Sequence, residues 1–319
     1  MNKPLVSVIV LTYNQQDYIA RNLDAILSQE VGFDYEIVLG EDASQDRTAD
    51  ICREYQARYP DRIVLQLNEQ NKGLVRNYAD CVRMSRGKYI ADCGGDDYWL
   101  DPCKMQREVD MLERHPSLSL VYANYRNYHQ QTGIFDRPHA EFGEDILDLE
   151  DYGPQTAARF LDGCWNPPIV LSAACYRKSM LEEVWQQHPD LFEGEGCVAE
   201  DIPVTAILLS RGPACYLAHD HLVYRVLDES LSHSGNQTRY YRFAVDCFCQ
   251  RMQIAEYLGI KHESLKHALQ CRHADYLHYA FLHRDGLMAQ RLAEAIARVG
   301  YEPSCKEKLK YAFLKRFGK

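Results

Sequence analysis

The stretch Val6-Ser7-Val8-Ile9-Val10-Leu11 runs apolar almost without a break, then turns polar at Thr12-Tyr13-Asn14. A strand covered on one face alternates apolar and polar residues, so a near-continuous run predicts a strand covered on both. Residues 18–29 follow with Ile19, Leu23, Ile26 and Leu27 at helical spacing, which predicts an amphipathic helix. Residues 35–39 predict a second strand. Asp46 is a suitable cap for a helix over 48–59. Residues 63–67 predict a third strand, 74–85 a helix stopped by Gly87, and 88–91 a fourth strand. This alternation predicts an α/β fold: a mostly parallel, Rossmann-like central sheet with helices on both sides.

The signal weakens further along. Residues 130–153 are polar and acidic and predict a loop or insertion. Residues 169–176 look strand-like, 202–210 helix-like, and 223–226 like a short strand. From about residue 237 the pattern is helical throughout. Interruptions near Gly259 and Asp285-Gly286 predict three or four antiparallel helices. The expected organisation is an α/β domain over residues 1–235 and a helical C-terminal region over 236–319.

The chain has 319 residues, 46% of them apolar, enough to bury a sizeable core. A formal net charge of −10 argues against a surface for nucleic acid or another polyanion. No apolar run is long enough to cross a bilayer. The twelve cysteines are scattered without a C-x-x-C pair, and the first residues lack a signal-peptide pattern. A reducing cytoplasm is the simplest compartment, with the cysteines as reduced core filler.

In an open parallel sheet, ligands bind beyond the carboxyl ends of the strands. Here those ends turn polar: Thr12-Tyr13-Asn14, then Gly40-Glu41-Asp42-Ala43-Ser44-Gln45-Asp46, then Asp92-Cys93-Gly94-Gly95-Asp96-Asp97. One such end can be a capped turn; three on one edge predict a shared site. Neither G-x-G-x-x-G after the first strand nor G-x-x-x-x-G-K-[ST] occurs, which disfavours dinucleotide and P-loop chemistry. A diphosphate would then be held through a divalent cation on carboxylates, Mg²⁺ or Mn²⁺ with Asp96 and Asp97 as ligands. Gly94 and Gly95 would let a phosphate approach the backbone, with Tyr98-Trp99 walling the site.

Four motifs between residues 6 and 99 carry a resemblance. VSVIVLTYN (6–14), GEDASQDRT (40–48), NKGLVRN (71–77) and GKYIADCGGDDYW (87–99) resemble, in order and spacing, the motifs of family 2 glycosyltransferases of the GT-A fold. The resemblance implies a nucleotide-sugar donor, UDP-linked or similar. It would put Thr12, Tyr13 and Asn14 at the nucleoside, with Glu41 or Asp42 accepting the base N–H. Arg76 would approach the nucleotide beside Gly95, and Asp96 would hold the metal as the last acid of a D-x-D. Gly94 departs from the family, which usually carries an acid there; metal binding would rest on Asp96 with Asp97 assisting. The family also needs a general base on the acceptor side. Asp201 in Val198-Ala199-Glu200-Asp201-Ile202-Pro203 fits, with Glu200 the alternative and a helix-capping role compatible with either.

Arg225 or His233, in the polar segment after the base, would contact the diphosphate or the acceptor. Trp165 would stack on an acceptor sugar or serve as a core tryptophan. No Q-x-x-R-W motif is present, which with the lack of membrane spans favours transfer of one sugar per binding event. His262, His267, His273, His278 and His283 show no ligand pattern and read as surface or core residues. The tail interleaves Lys306, Lys308, Lys310, Lys315 and Arg316 with Leu309, Tyr311, Phe313 and Phe317. Such a helix either packs on its own domain or rests on the inner face of the cell membrane, near lipid-linked glycan acceptors. The implied reaction is inverting transfer of a hexose or N-acetylhexosamine to a hydroxyl in cell-surface polysaccharide biosynthesis. The competing readings are a nucleotidyltransferase making sugar nucleotides and a non-catalytic sugar-nucleotide-binding protein.

Overall fold

A computed structural model describes residues 3–136, 143–227 and 236–318. The chain opens with β1 (Val6–Thr12), α1 (Ile19–Leu27), β2 (Tyr35–Glu41), α2 (Thr48–Arg58), β3 (Ile63–Leu67), α3 (Leu74–Met84) and β4 (Tyr89–Asp92). β5 (Tyr98–Trp99), α4 (Lys104–Arg114), β6 (Leu120–His129), β7 (Ile134–Phe135), β8 (Ile146–Leu147) and α5 (Pro154–Leu161) follow. Then come β9 (Ala174–Arg177), α6 (Ser179–Gln187), α7 (Asp190–Glu193), α8 (Asp201–Arg211) and β10 (Ala214–Val226). The remainder is helical: α9 (Gln237–Tyr257), α10 (Lys266–Gln270), α11 (His273–His283), α12 (Gly286–Arg298) and α13 (Cys305–Phe317).

The strands form one sheet in the order β3-β2-β1-β4-β9-β6-β10-β5. β1 through β4 pair in parallel, as do β6 and β10, and β9 runs against both its neighbours. Side chains alternate across this sheet into two cores. Val6, Val8 and Val10 of β1 point to the layer holding Ile19, Leu23 and Ile26 of α1 and Met105, Val109 and Leu112 of α4. Ile9 and Val38 point to the other layer, with Tyr78 of α3 and Ile202, Ile207 and Leu208 of α8. Each fully buried Val, Ile or Leu contributes about 1.5–3 kcal/mol by leaving water. The C-terminal helices extend the second layer: Val245, Met252, Leu277, Leu292 and Leu314 belong to the same buried cluster.

Several elements run beyond or against expectation. The expected short strand at 223–226 is the end of β10, whose His219-Asp220-His221 breaks the apolar pattern and coincides with two register shifts against β6. Of residues 169–176, only the last three lie in a strand, after a 3₁₀ turn at Leu171–Ala173. Within 130–153 sit the two short exposed strands β7 and β8. Asp46 bonds the Thr48 N–H at 2.9 Å, but the cap position itself falls to Arg47. The breaks at Gly259 and Asp285 occur as expected; further ones after α10 and after α12 make five helices.

Two buried polar arrangements fasten the strand ends. Lys104 and Glu108, one turn apart on α4, form a fully buried ion pair at 2.8 Å, with the ammonium over the Trp99 ring. His221 of β10 stands 3.5 Å from Glu108 and 3.3 Å from Asp101, so the cluster clamps β5 onto β10. Across the sheet, Asp92 at the end of β4 is buried beneath Tyr78 and Tyr176, whose hydroxyls bond each other. Neither carboxylate oxygen of Asp92 has a hydrogen bond of standard geometry. Burial pushes its pKa up to about 7, against the moderating pull of Tyr176, Lys104 and Tyr78.

Two measurements test these arrangements. Glu108→Leu strands the Lys104 ammonium in the core and should lower unfolding stability by about 3–5 kcal/mol, most of it recovered in Lys104→Met/Glu108→Leu; urea midpoints decide. For Asp92, the folded state holds its proton to higher pH than the unfolded chain. Stability is therefore lost as pH rises from the ordinary aspartate range to about 7. Asp92→Asn should be the more stable protein near pH 8, by up to about 4 kcal/mol, and lose that advantage near pH 4.

Candidate active site

The tips of β1, β2 and β4 converge on a cavity of about 840 Å³. Its lining includes Thr12, Tyr13, Gln15 and Asp42 from the first two tips, and Gly94, Asp96 and Asp97 from the third. Glu200 and Asp201, at the start of α8, line it too, as do Asn71, Gly73 and Asn77 around α3 and Ser172 before β9. Arg239 comes from the first turn of α9. A depression of similar volume near Val31, Phe33 and Arg62 lies away from these strand ends and gathers no comparable set of acids.

The β1 and β2 tips are laced together. Asn14 donates its N–H to Ser44 and accepts from the Gln45 N–H, while Gln15 donates to Thr48. Asn14 and Ala43 adopt left-handed backbone, at φ 53° and 60°, a strain tolerated where the surroundings over-determine it. Asp42 accepts from the N–H groups of Lys72 and Gly73 and from the Asn68 amide, all at 2.9 Å. It thereby fixes the loop leading into α3.

The 93–97 loop is held from three sides. Asn22 of α1 donates to the carbonyls of Gly94 and Asp97 at 2.7 and 3.0 Å. Ser172 accepts from the Gly94 N–H at 3.1 Å. Arg225 gives its backbone N–H to Asp97 and its Nε–H to the Asp96 carbonyl, both at 2.8 Å. A Cβ at Gly95 would fall 2.4 Å from Gln15 Oε1 and 2.8 Å from the Leu11 carbonyl, so only glycine lets this loop come so close to the β1 tip. A Cβ at Gly94 would stand 3.1 Å from Asp96 Oδ1 and 3.3 Å from Asp97 Oδ2. The place of the missing acid thus abuts both carboxylates.

Two acids side by side in this setting repel. Burial, then the neighbouring charge of Asp96, holds the Asp97 pKa well above the carboxylate range; burial raises that of Asp96, with Arg225 and Gln15 pulling the other way. Buried oxygens of Thr12 and Gln15 at the same tips lack hydrogen-bond donors. A divalent cation with oxygen ligands answers this excess of acceptors, so the residues fit one. Asp96 faces the cavity; Asp97 already gives one oxygen to Arg225. At the opposite wall, burial and then the charge of Asp201 push the Glu200 pKa up to about 8. Burial raises Asp201 as well, offset by the nearby Arg251 guanidinium.

Of the residues expected from sequence, Thr12, Tyr13, Asp42, Asp96, Asp97, Glu200 and Asp201 line one cavity. Six others stand outside its lining. Asn14 and Glu41 spend side-chain oxygens on the tip, Glu41 through the Ser44 N–H. Arg76 is exposed because Leu74 and Asn77, three apart on α3, take the inward face. Gly95 is buried against β1. Arg225 is buried, bonded to Gln130 and stacked over Tyr18. Trp165 donates to Tyr122 and lines a smaller cavity of about 190 Å³. His233 lies outside the described residues. Asn77 closes the 71–77 motif without having been singled out, and Ser172 and Arg239 carried no motif signal; only the folded chain brings them here.

The sequence model described as Glycosyl transferase family 2 matches residues 7–185, more than half of the chain. The chain spans about a third of the length of the first curated relatives it matches, each 39% identical over 117 residues. It is 30% identical over 139 residues to UDP-Glc:alpha-D-GlcNAc-diphosphoundecaprenol beta-1,3-glucosyltransferase WfaP of Escherichia coli, covering 42% of this chain and 52% of WfaP. Among solved structures, Staphylococcus aureus TarS 1–349 in complex with UDP-GlcNAc superposes over 97% of this chain and 90% of that one. The TM-score is 0.58 at 16% identity. The mannosyltransferase PcManGT of Pyrobaculum calidifontis, solved with GDP-Man and Mn²⁺, superposes over 98% and 86%, with a TM-score of 0.54 at 19% identity. At such identities the likeness is one of fold. With the family's sequence signature spread over the strands that build the cavity, this chain is a glycosyltransferase of family 2.

Proposed function

We propose that the protein moves one hexose or N-acetylhexosamine from a UDP-linked donor to a hydroxyl acceptor, inverting the anomeric centre, in the assembly of a cell-surface polysaccharide or its lipid-linked precursor. The observation carrying this reading is that two pairs of acids, Asp96–Asp97 and Glu200–Asp201, line the same cavity from separate parts of the sheet. A single displacement needs both: one group to hold the leaving diphosphate and another to take the acceptor proton.

Thr12, Tyr13 and Asp42 hold the nucleoside end at the β1 and β2 tips. Asp96, with Asp97 beside it, holds Mg²⁺ or Mn²⁺, which when bound supplies a Lewis acid for the charge developing on the diphosphate. Arg239 adds a cation at the rim. Asp201 is the base. Near neutral pH Glu200 keeps its proton, because burial and its neighbour oppose a second charge; burial raises the Asp201 pKa as well, but there the Arg251 guanidinium pulls back toward the ionised form. The acceptor hydroxyl gives its proton to Asp201 as its oxygen attacks the anomeric carbon and the nucleoside diphosphate departs.

The names of WfaP and TarS support a UDP-linked donor, and that of PcManGT supports a divalent ion. No described helix is long and apolar enough to cross a membrane. Peripheral contact is supported by α13, where Leu309 is 72% and Phe317 51% exposed beside the lysines; its other face is docked through His273, which bonds Glu307 and Tyr311.

With a panel of UDP-sugars and Mn²⁺, the protein should release UDP, and product NMR should show the opposite anomer. Pyrophosphate release would point to nucleotidyl transfer instead. Asp201→Asn should lower kcat by about 10²–10⁴-fold with donor Kd nearly unchanged; loss of donor binding removes Asp201 from the base role. Glu200→Gln mimics the protonated state and should keep activity within several-fold. Asp96→Asn should abolish the metal-dependent rate.

A further inference from the structure

Outside the lining of the carboxylate cavity, the exit of α5 meets the start of α10. Cys164 Sγ stands 3.6 Å from Asp162 Oδ2 and 3.4 Å from His267 Nδ1. One ligand atom from each of these three residues lies within 4.8 Å of the others. A tetrahedral zinc ion, with bonds of about 2.3 Å to sulfur and about 2.0–2.2 Å to nitrogen or oxygen, sets its sulfur about 3.6 Å from each neighbouring ligand atom. The two edges measured from Cys164 match that spacing.

The surroundings orient the same three atoms. Asp162 Oδ1 accepts the Ala268 N–H at 2.8 Å, which leaves Oδ2 turned to Cys164. The far nitrogen of His267 lies 3.5 Å from Cys271 Sγ, an outer partner that directs Nδ1 inward.

We propose that Asp162, Cys164 and His267 form a zinc site, with water in the fourth position. The thiol proton leaves to solvent as the metal binds. One carboxylate, one thiolate and a neutral imidazole then balance the dication. Its effect is to fasten the segment leading to Trp165 onto the C-terminal helices. His267 lies 103 residues beyond Cys164, which is why no spacing motif announced the site.

The test uses the full chain, stripped with chelator, kept reduced with a phosphine and titrated with Co²⁺. One equivalent should give a thiolate-to-cobalt charge-transfer band, displaced by Zn²⁺. Cys164→Ser should remove the band, and His267→Gln should weaken Co²⁺ binding at least about 100-fold. Cys271→Ser should keep the band with affinity about tenfold lower. Asp96→Asn, altering a site without sulfur, should leave the band unchanged. Circular dichroism should show each variant folded, since Cys164 and His267 are exposed. Absence of the band, its survival in Cys164→Ser, or unchanged binding in His267→Gln would overturn the proposal.

Discussion

The burial of Asp96 beside Asp97 sets the demand that the surrounding loop must meet. Two carboxylates in succession at a strand end, largely removed from water, are costly unless something of opposite sign answers them. The fold answers Asp97 with a backbone N–H from Arg225 and leaves Asp96 to the cavity. The remaining supports of the loop, Asn22 and Ser172, bond its backbone and keep the pair from relaxing apart. What remains is an electrostatic deficit aimed at the place where a metal-bound diphosphate would sit. Preorganisation of this kind is established during folding, so little reorganisation is left for the moment of reaction.

The opposite wall follows the same logic with a different outcome. Glu200 and Asp201 also share a confined space that raises the pKa of both, but a guanidinium, that of Arg251, stands near Asp201. Unequal surroundings make two chemically similar acids differ in how readily they lose a proton. Asp92, behind Glu200 and under two tyrosines, adds a further buried acid to that side of the sheet.

The first half of the sheet was legible because local pattern and final environment agree there. Strands covered on both faces are apolar throughout, and helices such as α1 bury one stripe. The second half was less so. β10 carries His219, Asp220 and His221 within a thirteen-residue strand because bulges and a buried ion-pair cluster accommodate them, and no local rule foresees that. The site divides along the same line. Residues at strand tips were visible as polar endings of apolar runs. Arg225 looked like a ligand-binding cation; its partners, Asp97 and Tyr18, are set by pairings that span more than a hundred positions. Ser172 and Arg239 reach the cavity from elements whose sequence advertises only a turn or a helix.

Arg239 has a wider implication. It stands in the first turn of α9, so the helical region and the sheet line one cavity together. Their apolar clusters are also continuous. An appendage joined in this way is poorly suited to exchange as an independent cassette.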